Sequence, residues 1–299
     1  MRLATITGAD GPRLHVRGRS GYVDVAEATG DPRFASLEAV LTALQGEPAV
    51  MDAVRAAAER DGTAYRPEDL APAVPEPARI LCLGVNYSEH AAEGGREVPA
   101  WPESFVRGRG SVLGPYADLV RPALTDRFDF EGELGVVIGL GGRYITAEKA
   151  IEAIAGYVVL NDASAREWQR AGTQWTAGKN FEGSMPVGPE VVTTDEVDIS
   201  DVALTTVLNG EVMQSARTSD MIVDVPSAIE FFSSFTTLRP GDVIATGTPG
   251  GVGYARTPPV WLTPGDVIEV TIEGVGTIRN RVVDEEADLT GWRWRPGQR

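Results

Sequence analysis

Cysteine, histidine and lysine are nearly missing from this 299-residue chain, which has one cysteine, two histidines (His15 and His90) and two lysines (Lys149 and Lys179), all other basic residues being arginine. A single thiol, Cys82 between Leu81 and Leu83, excludes an intramolecular disulfide and reads as a small buried hydrophobe. Long apolar runs are lacking too. Each is broken by charge or glycine well short of a membrane span, and the first residues carry no signal-peptide core, so a soluble cytoplasmic protein is the expectation. Positive charge is the minority, with 27 Lys and Arg against 43 Asp and Glu and a formal net charge of -16. That balance argues against nucleic acid or an anionic membrane as partner, because phosphate binding needs clustered Lys and Arg. A small anionic substrate stays open, through a local cationic or metal site.

What is present is enough for a large core: 42% of the residues are hydrophobic. Residues 1–70 alternate strand-like and helix-like pieces and read as a small N-terminal α+β domain; His15, between Leu14 and Val16, is read there as structural or surface. A proline-rich linker follows at 71–78, and residues 79–299 form the main domain. Within it Thr146 is expected to cap a helix over Ala147 to Ala155, with Ile151 and Ile154 on its buried side. Asn209-Gly210 is a strong hairpin signal, and Pro226 opens an amphipathic helix through Leu238. The motif Leu238-Arg239-Pro240-Gly241-Asp242-Val243-Ile244 returns at Leu262 to Ile268, suggesting one turn-into-strand device used twice in one β structure.

Candidate chemistry begins at Glu131 and Glu133. In a strand, residues two apart share a face, so both carboxylates would project into one space, where mutual repulsion calls for a cation. A hard oxygen-seeking ion, Mg²⁺ or else Mn²⁺ or Ca²⁺, fits that pattern, whereas a solvated strand edge is the plain alternative. Asp162, at the end of the apolar strand from Gly156, stands where a third metal carboxylate would, and equally where Asp would cap the next short helix. His90 and Glu93 lie one helical turn apart, so the carboxylate could orient the imidazole; an exposed pair is the alternative. Arg166 and Gln169 share a helix face and could meet a substrate carboxylate, or lie on the surface. Lys179 sits in an aromatic and glycine-rich loop that lacks the spacing of a P-loop.

Six motifs in order then resemble the fumarylacetoacetate hydrolase family. They are G-x-N-Y-x-x-H-x-x-E from Gly84 to Glu93, E-G-E-L at Glu131 to Leu134, N-D at Asn161-Asp162, R-x-x-Q at Arg166 to Gln169, G-K-N-F at Gly178 to Phe181 and G-T-P-x-G-V-G at Gly247 to Gly253. The resemblance covers Ile80 to Val283. It implies an α+β, β-rich fold, a mixed β-sandwich or β-roll catalytic domain around a divalent ion, and a homodimer. It assigns Glu131, Glu133 and Asp162 as metal ligands and Lys179 as the active-site lysine. His90 with Glu93 would be the water-activating pair on a mobile lid, and Arg166, Gln169 and Thr248 substrate contacts. Arg107 stands where many members have lysine; a guanidinium cannot shuttle protons, so an anion-binding role toward substrate is expected.

Chemically, these residues suit a metal-dependent hydrolase that cleaves a carbon-carbon bond in a 2,4-dioxo acid, acylpyruvate-like or fumarylpyruvate-like, through a metal-bound enolate. The alternative is an oxaloacetate-type decarboxylase or a hydroxymuconate-type isomerase on the same site. The expected partner is a small anionic 2-oxo acid.

Overall fold

Seven consecutive residues of one strand, Gly132 to Ile138, are all buried, and that strand lies near the middle of a broad sheet. An apolar run of this kind needs cover on both faces. The computed structural model of the chain describes residues 1–292. It opens with β1 (Arg2–Gly8), β2 (Gly11–Arg17) and β3 (Tyr22–Asp24), then α1 (Val25–Thr29), α2 (Leu37–Leu44) and α3 (Val50–Ala58). Next come β4 (Ile80–Gly84), α4 (Ser88–Glu93), β5 (Glu103–Arg107), β6 (Val112–Leu113), β7 (Leu119–Arg121), β8 (Phe128–Asp129) and β9 (Gly132–Ile138). After α5 (Ala150–Ala153) follow β10 (Ile154–Asn161), β11 (Ser164–Ala165), α6 (Arg166–Gln169), α7 (Thr176–Lys179) and β12 (Met185–Val192). The last third holds β13 (Ala203–Leu208), β14 (Glu211–Arg217), α8 (Val225–Phe235), β15 (Val243–Ala245), β16 (Val267–Ile272) and β17 (Gly276–Asp284).

The large sheet runs β3-β2-β1-β12-β10-β9-β15-β4-β5, with β6 beside β12, and a five-stranded sheet runs β14-β13-β16-β17-β7. Alternation along the central strands sorts side chains to two faces. Val137, Val158, Cys82 and Val243 join the core with α2 and α3. Val136, Ile138, Val159 and Ile244 join the core with the small sheet and α8. The molecule is α+β and β-rich, as expected, with one sheet packed on another. The N-terminal strands continue the large sheet, β1 pairing with β12, and the proline-rich stretch is tucked in, with Ala73 and Val74 buried.

Local expectations meet mixed outcomes. Asn209 and Gly210 both have positive φ, 52° and 86°, and turn β13 into β14, as a two-residue hairpin requires. Cys82 is buried, and so is His15, packed edge-on against Tyr65. The repeated motif does form the same turn twice, with Asp242 and Asp266 accepting from the backbone N–H of Arg239 and Thr263. The turns feed β15 and β16, however, which belong to different sheets. The helix expected to Ala155 is only a 3-10 turn and α5, because Ile154 already pairs with Ile138 on β9. Ile151 is consequently exposed, not buried. Helix α8 begins at Val225 and ends at Phe235, three residues short of Leu238, where Thr236 turns extended. No helix among the described residues is long and apolar enough to cross a membrane.

Strand directions position the site. Gly132 on β9 faces Asn161 on the antiparallel β10, and β15 runs antiparallel to β9 and parallel to β4. The start of β9 and the ends of β10, β15 and β4 therefore meet at one end of the sheet. Glu131 and Glu133, Asp162, the glycine-rich loop 246–253 and the His90 helix are delivered to that end.

Candidate active site

Glu131, Glu133 and Asp162 are buried, and one carboxylate oxygen from each lies within 4.8 Å of the others. Backbone bonds bring them together: Asp162 N–H donates to Glu131 O (2.8 Å), and Glu131 N–H donates to Asn161 Oδ1 (3.0 Å). Asp162 does not cap α6, whose N-cap position is Ala165, with no side-chain capping bond. Three buried cations surround the acids. Lys179 Nζ donates to Glu131 (2.7 Å) and Asp162 (2.6 Å), Arg166 Nη1 donates to Glu131 (2.5 Å), and Arg107 Nη1 pairs with Asp162.

The pairing is uneven, and the protonation equilibria follow. Burial would raise the Glu131 carboxyl, but Lys179 and then Arg166 outweigh it and hold it at about 2. Among the described residues Glu133 has only the Gly247 N–H (2.8 Å) and no basic side chain paired with its carboxylate. Burial, then Asp162, then Glu131 push its carboxyl well above the ordinary range. Because Arg166 also serves buried Asp129 (2.8 Å), four buried carboxylates share three cations. With Glu133 protonated the charges balance, and with Glu133 ionised the site is one positive charge short. A hard divalent cation among three oxygen donors at this spacing fits that deficit.

A cavity of about 330 Å³ opens onto these groups, with His90, Glu133, Arg166, Gln169, Lys179 and Thr248 in its wall. His90 Nδ1–H donates to Glu93 Oε1 (2.7 Å), and Glu93 Oε2 accepts from Gly251 N–H (2.7 Å). Gln169 Oε1 accepts from Arg166 Nη1 (3.0 Å). Thr248 Oγ1 donates to Gly132 O (3.0 Å) and accepts from Gln214 (2.8 Å). Arg166 is buried, and its Nη2 has no hydrogen-bond partner among the described residues. Gly178, just before Lys179, abuts the backbone of Gln169, where a Cβ would overlap. Lys149 is exposed and does not line this cavity.

One expectation is corrected here. Arg107 does not meet the cavity as a substrate contact would. It is wholly buried, and its guanidinium is consumed by Asp162, Ala163 O (3.2 Å), Ser111 (3.2 Å) and Ser184 (2.5 Å). Sequence reading missed Asp129, Gln214 and Tyr254. Asp129 was findable, since it extends the Glu131/Glu133 spacing by one step; Gln214 comes from the other sheet and left no local signal.

Residues 79–283 match the model of the fumarylacetoacetate (FAA) hydrolase C-terminal family. The chain is 44% identical over 217 residues to the oxaloacetate tautomerase FAHD2A, mitochondrial, of Bos taurus, covering 72% of this chain and 69% of that protein. Its fold matches the crystal structure of a putative HpcE protein from Mycobacterium smegmatis with TM-score 0.87 and 37% identity, over 96% of this chain and all (100%) of that one. It also matches maleylpyruvate hydrolase from Sphingobium sp. SYK-6, solved with manganese(II) and pyruvate, at TM-score 0.76 and 30% identity, covering 96% and 100% of the two chains. The cytoplasmic expectation is withdrawn, because the bovine relative is mitochondrial and composition does not fix a compartment. On the matched span and these identities, the chain belongs to the fumarylacetoacetate hydrolase family and is an enzyme of that family.

Proposed function

We propose that this enzyme acts on a small anionic 2-oxo acid with a divalent ion, Mg²⁺ or Mn²⁺, held by Glu131, Glu133 and Asp162. Its reaction is proton transfer at the carbon beside the 2-oxo group, the keto-enol interconversion of an oxaloacetate-like acid. The observation that carries this reading is that Arg166, a residue of the cavity wall, keeps a buried Nη2 without a partner among the described residues, beside a carboxylate triad that is one positive charge short once Glu133 ionises. A substrate carboxylate answers the first need and a divalent ion the second. The oxaloacetate tautomerase relative and the relative holding manganese and pyruvate support the choice of chemistry.

When bound, the ion would polarise the 2-oxo oxygen and offset charge developing there. Lys179, fixed between Glu131 and Asp162, adds a second cation at that position without having to reorganise. Glu93 accepts a hydrogen bond from His90 Nδ1–H, which leaves the Nε2 lone pair free to take a proton from the substrate carbon and hand it to the 2-oxo oxygen as the enol forms. Arg166 and Gln169, hydrogen-bonded to each other, hold the carboxylate end, and Thr248 borders it. Arg107 acts on substrate only through Asp162.

A second reading is hydrolysis of a carbon-carbon bond in an acylpyruvate-like or fumarylpyruvate-like acid, with His90 activating water instead. The maleylpyruvate hydrolase relative favours it. Oxaloacetate decarboxylation or isomerisation of a hydroxymuconate-type diacid would use the same groups. Purified protein with Mg²⁺ or Mn²⁺ is to be mixed with oxaloacetate and with acylpyruvates while enol absorbance and products are followed. Faster enol loss without new products supports tautomerisation; pyruvate plus a free acid supports hydrolysis. If the metal-loaded protein changes none of these acids, both readings fail.

A further inference from the structure

We propose that Asp129 is a positioning residue, which locks Arg166 and the glycine-rich loop together so that one edge of the guanidinium is offered to substrate; this rests on the function proposed above. Asp129 is wholly buried at the end of β8, yet it neither belongs to the carboxylate triad nor lines the cavity. An ionised carboxylate has about four acceptor positions, and here each is used. Oδ1 accepts from the backbone N–H of Phe130 (2.8 Å) and Gly253 (2.8 Å). Oδ2 accepts from Tyr254 N–H (3.0 Å) and Arg166 Nε–H (2.8 Å). No lone pair is left for a cation. That separates Asp129 from Glu131 and Glu133, although the three acids alternate along the chain.

The grip on Nε fixes the plane of the guanidinium, because its five N–H groups form a rigid fork. With Nε turned to Asp129, and Nη1 to Glu131 (2.5 Å) and Gln169 (3.0 Å), the atom left over is Nη2. The same carboxylate pins the backbone of Tyr254. The tyrosine ring centre lies 4.6 Å from the Arg166 guanidinium carbon and 6.3 Å from the His90 ring. One buried acid thus sets both the anion-binding group and the loop on which the His90 helix rests. Asparagine in its place would set an NH₂ group against two donors.

Oxalate, a planar dianion shaped like the carboxylate end of a 2-oxo acid, is the probe. It is titrated by calorimetry into the Mn²⁺-loaded 299-residue protein and into D129N, R166Q and the double variant. In D129N, Mn²⁺ affinity is expected within about threefold of wild type and oxalate affinity about tenfold lower or worse, with the double variant no weaker than R166Q alone. Undiminished oxalate binding by D129N, losses that multiply in the double variant, or Mn²⁺ affinity falling in step with oxalate would each overturn the assignment. Failure of the wild type to bind oxalate would instead remove the proposed function, and this inference with it. Should D129N not fold, the wild type answers through its arginine Nε–H correlation spectrum. The Arg166 signal, identified by its loss in R166Q, is expected to exchange slowly with solvent, and exchange as fast as that of surface arginines overturns the proposal.

Discussion

A buried carboxylate without a basic partner is neutralised by a proton or by a metal ion, and Glu133 faces that choice. Glu133→Gln should lower Mn²⁺ affinity by more than the roughly 10–100-fold that loss of an outer-shell partner costs. It should leave the metal-free protein no less stable, because an acid whose ionisation the fold opposes has gone. Calorimetry with Mn²⁺ and thermal melts in chelator check the two halves, and a large drop in the chelator melt would sink the argument. The pH dependence has two signs. Glu131, held at about 2 against an ordinary 4.5, contributes stability that is complete above 4.5 and lost as pH falls toward 2. Glu133 is raised, so its contribution is present at low pH and lost as pH rises through its folded value. Metal binding should therefore release a proton, and calorimetry in two buffers of different ionisation heat measures it; equal heats would count against the assignment. Lys179→Met leaves Glu131 and Asp162 under-compensated and should cost about 3–5 kcal/mol in chelator, read by urea unfolding. The acids were legible in the sequence because a strand repeats every two residues. The true neighbours of Arg107 were not, since nothing local says which way a buried guanidinium reaches.

Elements were legible where local chemistry decides them and illegible where pairing does. The Asn209-Gly210 hairpin needs only its two residues. The strand at Ile154 overrode a helical spacing because β9 offered it a partner, and the repeated turn could not announce that its copies serve two sheets. Close packing gives a test at this scale. Gly253 lies against the Val260 carbonyl and Asp129 Oδ1, where a Cβ would overlap both. Gly253→Ala should shift the loop off Asp129 and weaken oxalate binding while far-UV dichroism stays unchanged; wild-type oxalate affinity would show that the loop is not held there. Phe232 on α8 is buried between the large sheet and the small one. Phe232→Ala is expected to cost about 3–5 kcal/mol in denaturant unfolding.

Across the whole molecule, we propose that residues 79–299 carry the chemistry and residues 1–70 complete the sheet and its core. Strand β1 covers the edge of β12, and the helices α2 and α3 cover apolar side chains of β9, β10 and β15. A chain starting at Arg79 would leave that edge and that face open, and it should aggregate instead of remaining monodisperse in light scattering. Monodisperse, Mn²⁺-binding material would show that the N-terminal part is dispensable. The homodimer implied by family resemblance is a separate proposal, read by sedimentation.

The hydrogen bond from Gly251 N–H to Glu93 has a consequence for timing. Glu93 serves two masters: one oxygen aims the imidazole, and the other fastens the helix that carries it to the loop after β15. Any swing of that helix which widens the mouth of the cavity must unfasten the second oxygen, and the freed carboxylate no longer aims the first. On the function proposed above, openness and reactivity would therefore alternate, with His90 aimed as a base only while Glu93 holds the loop.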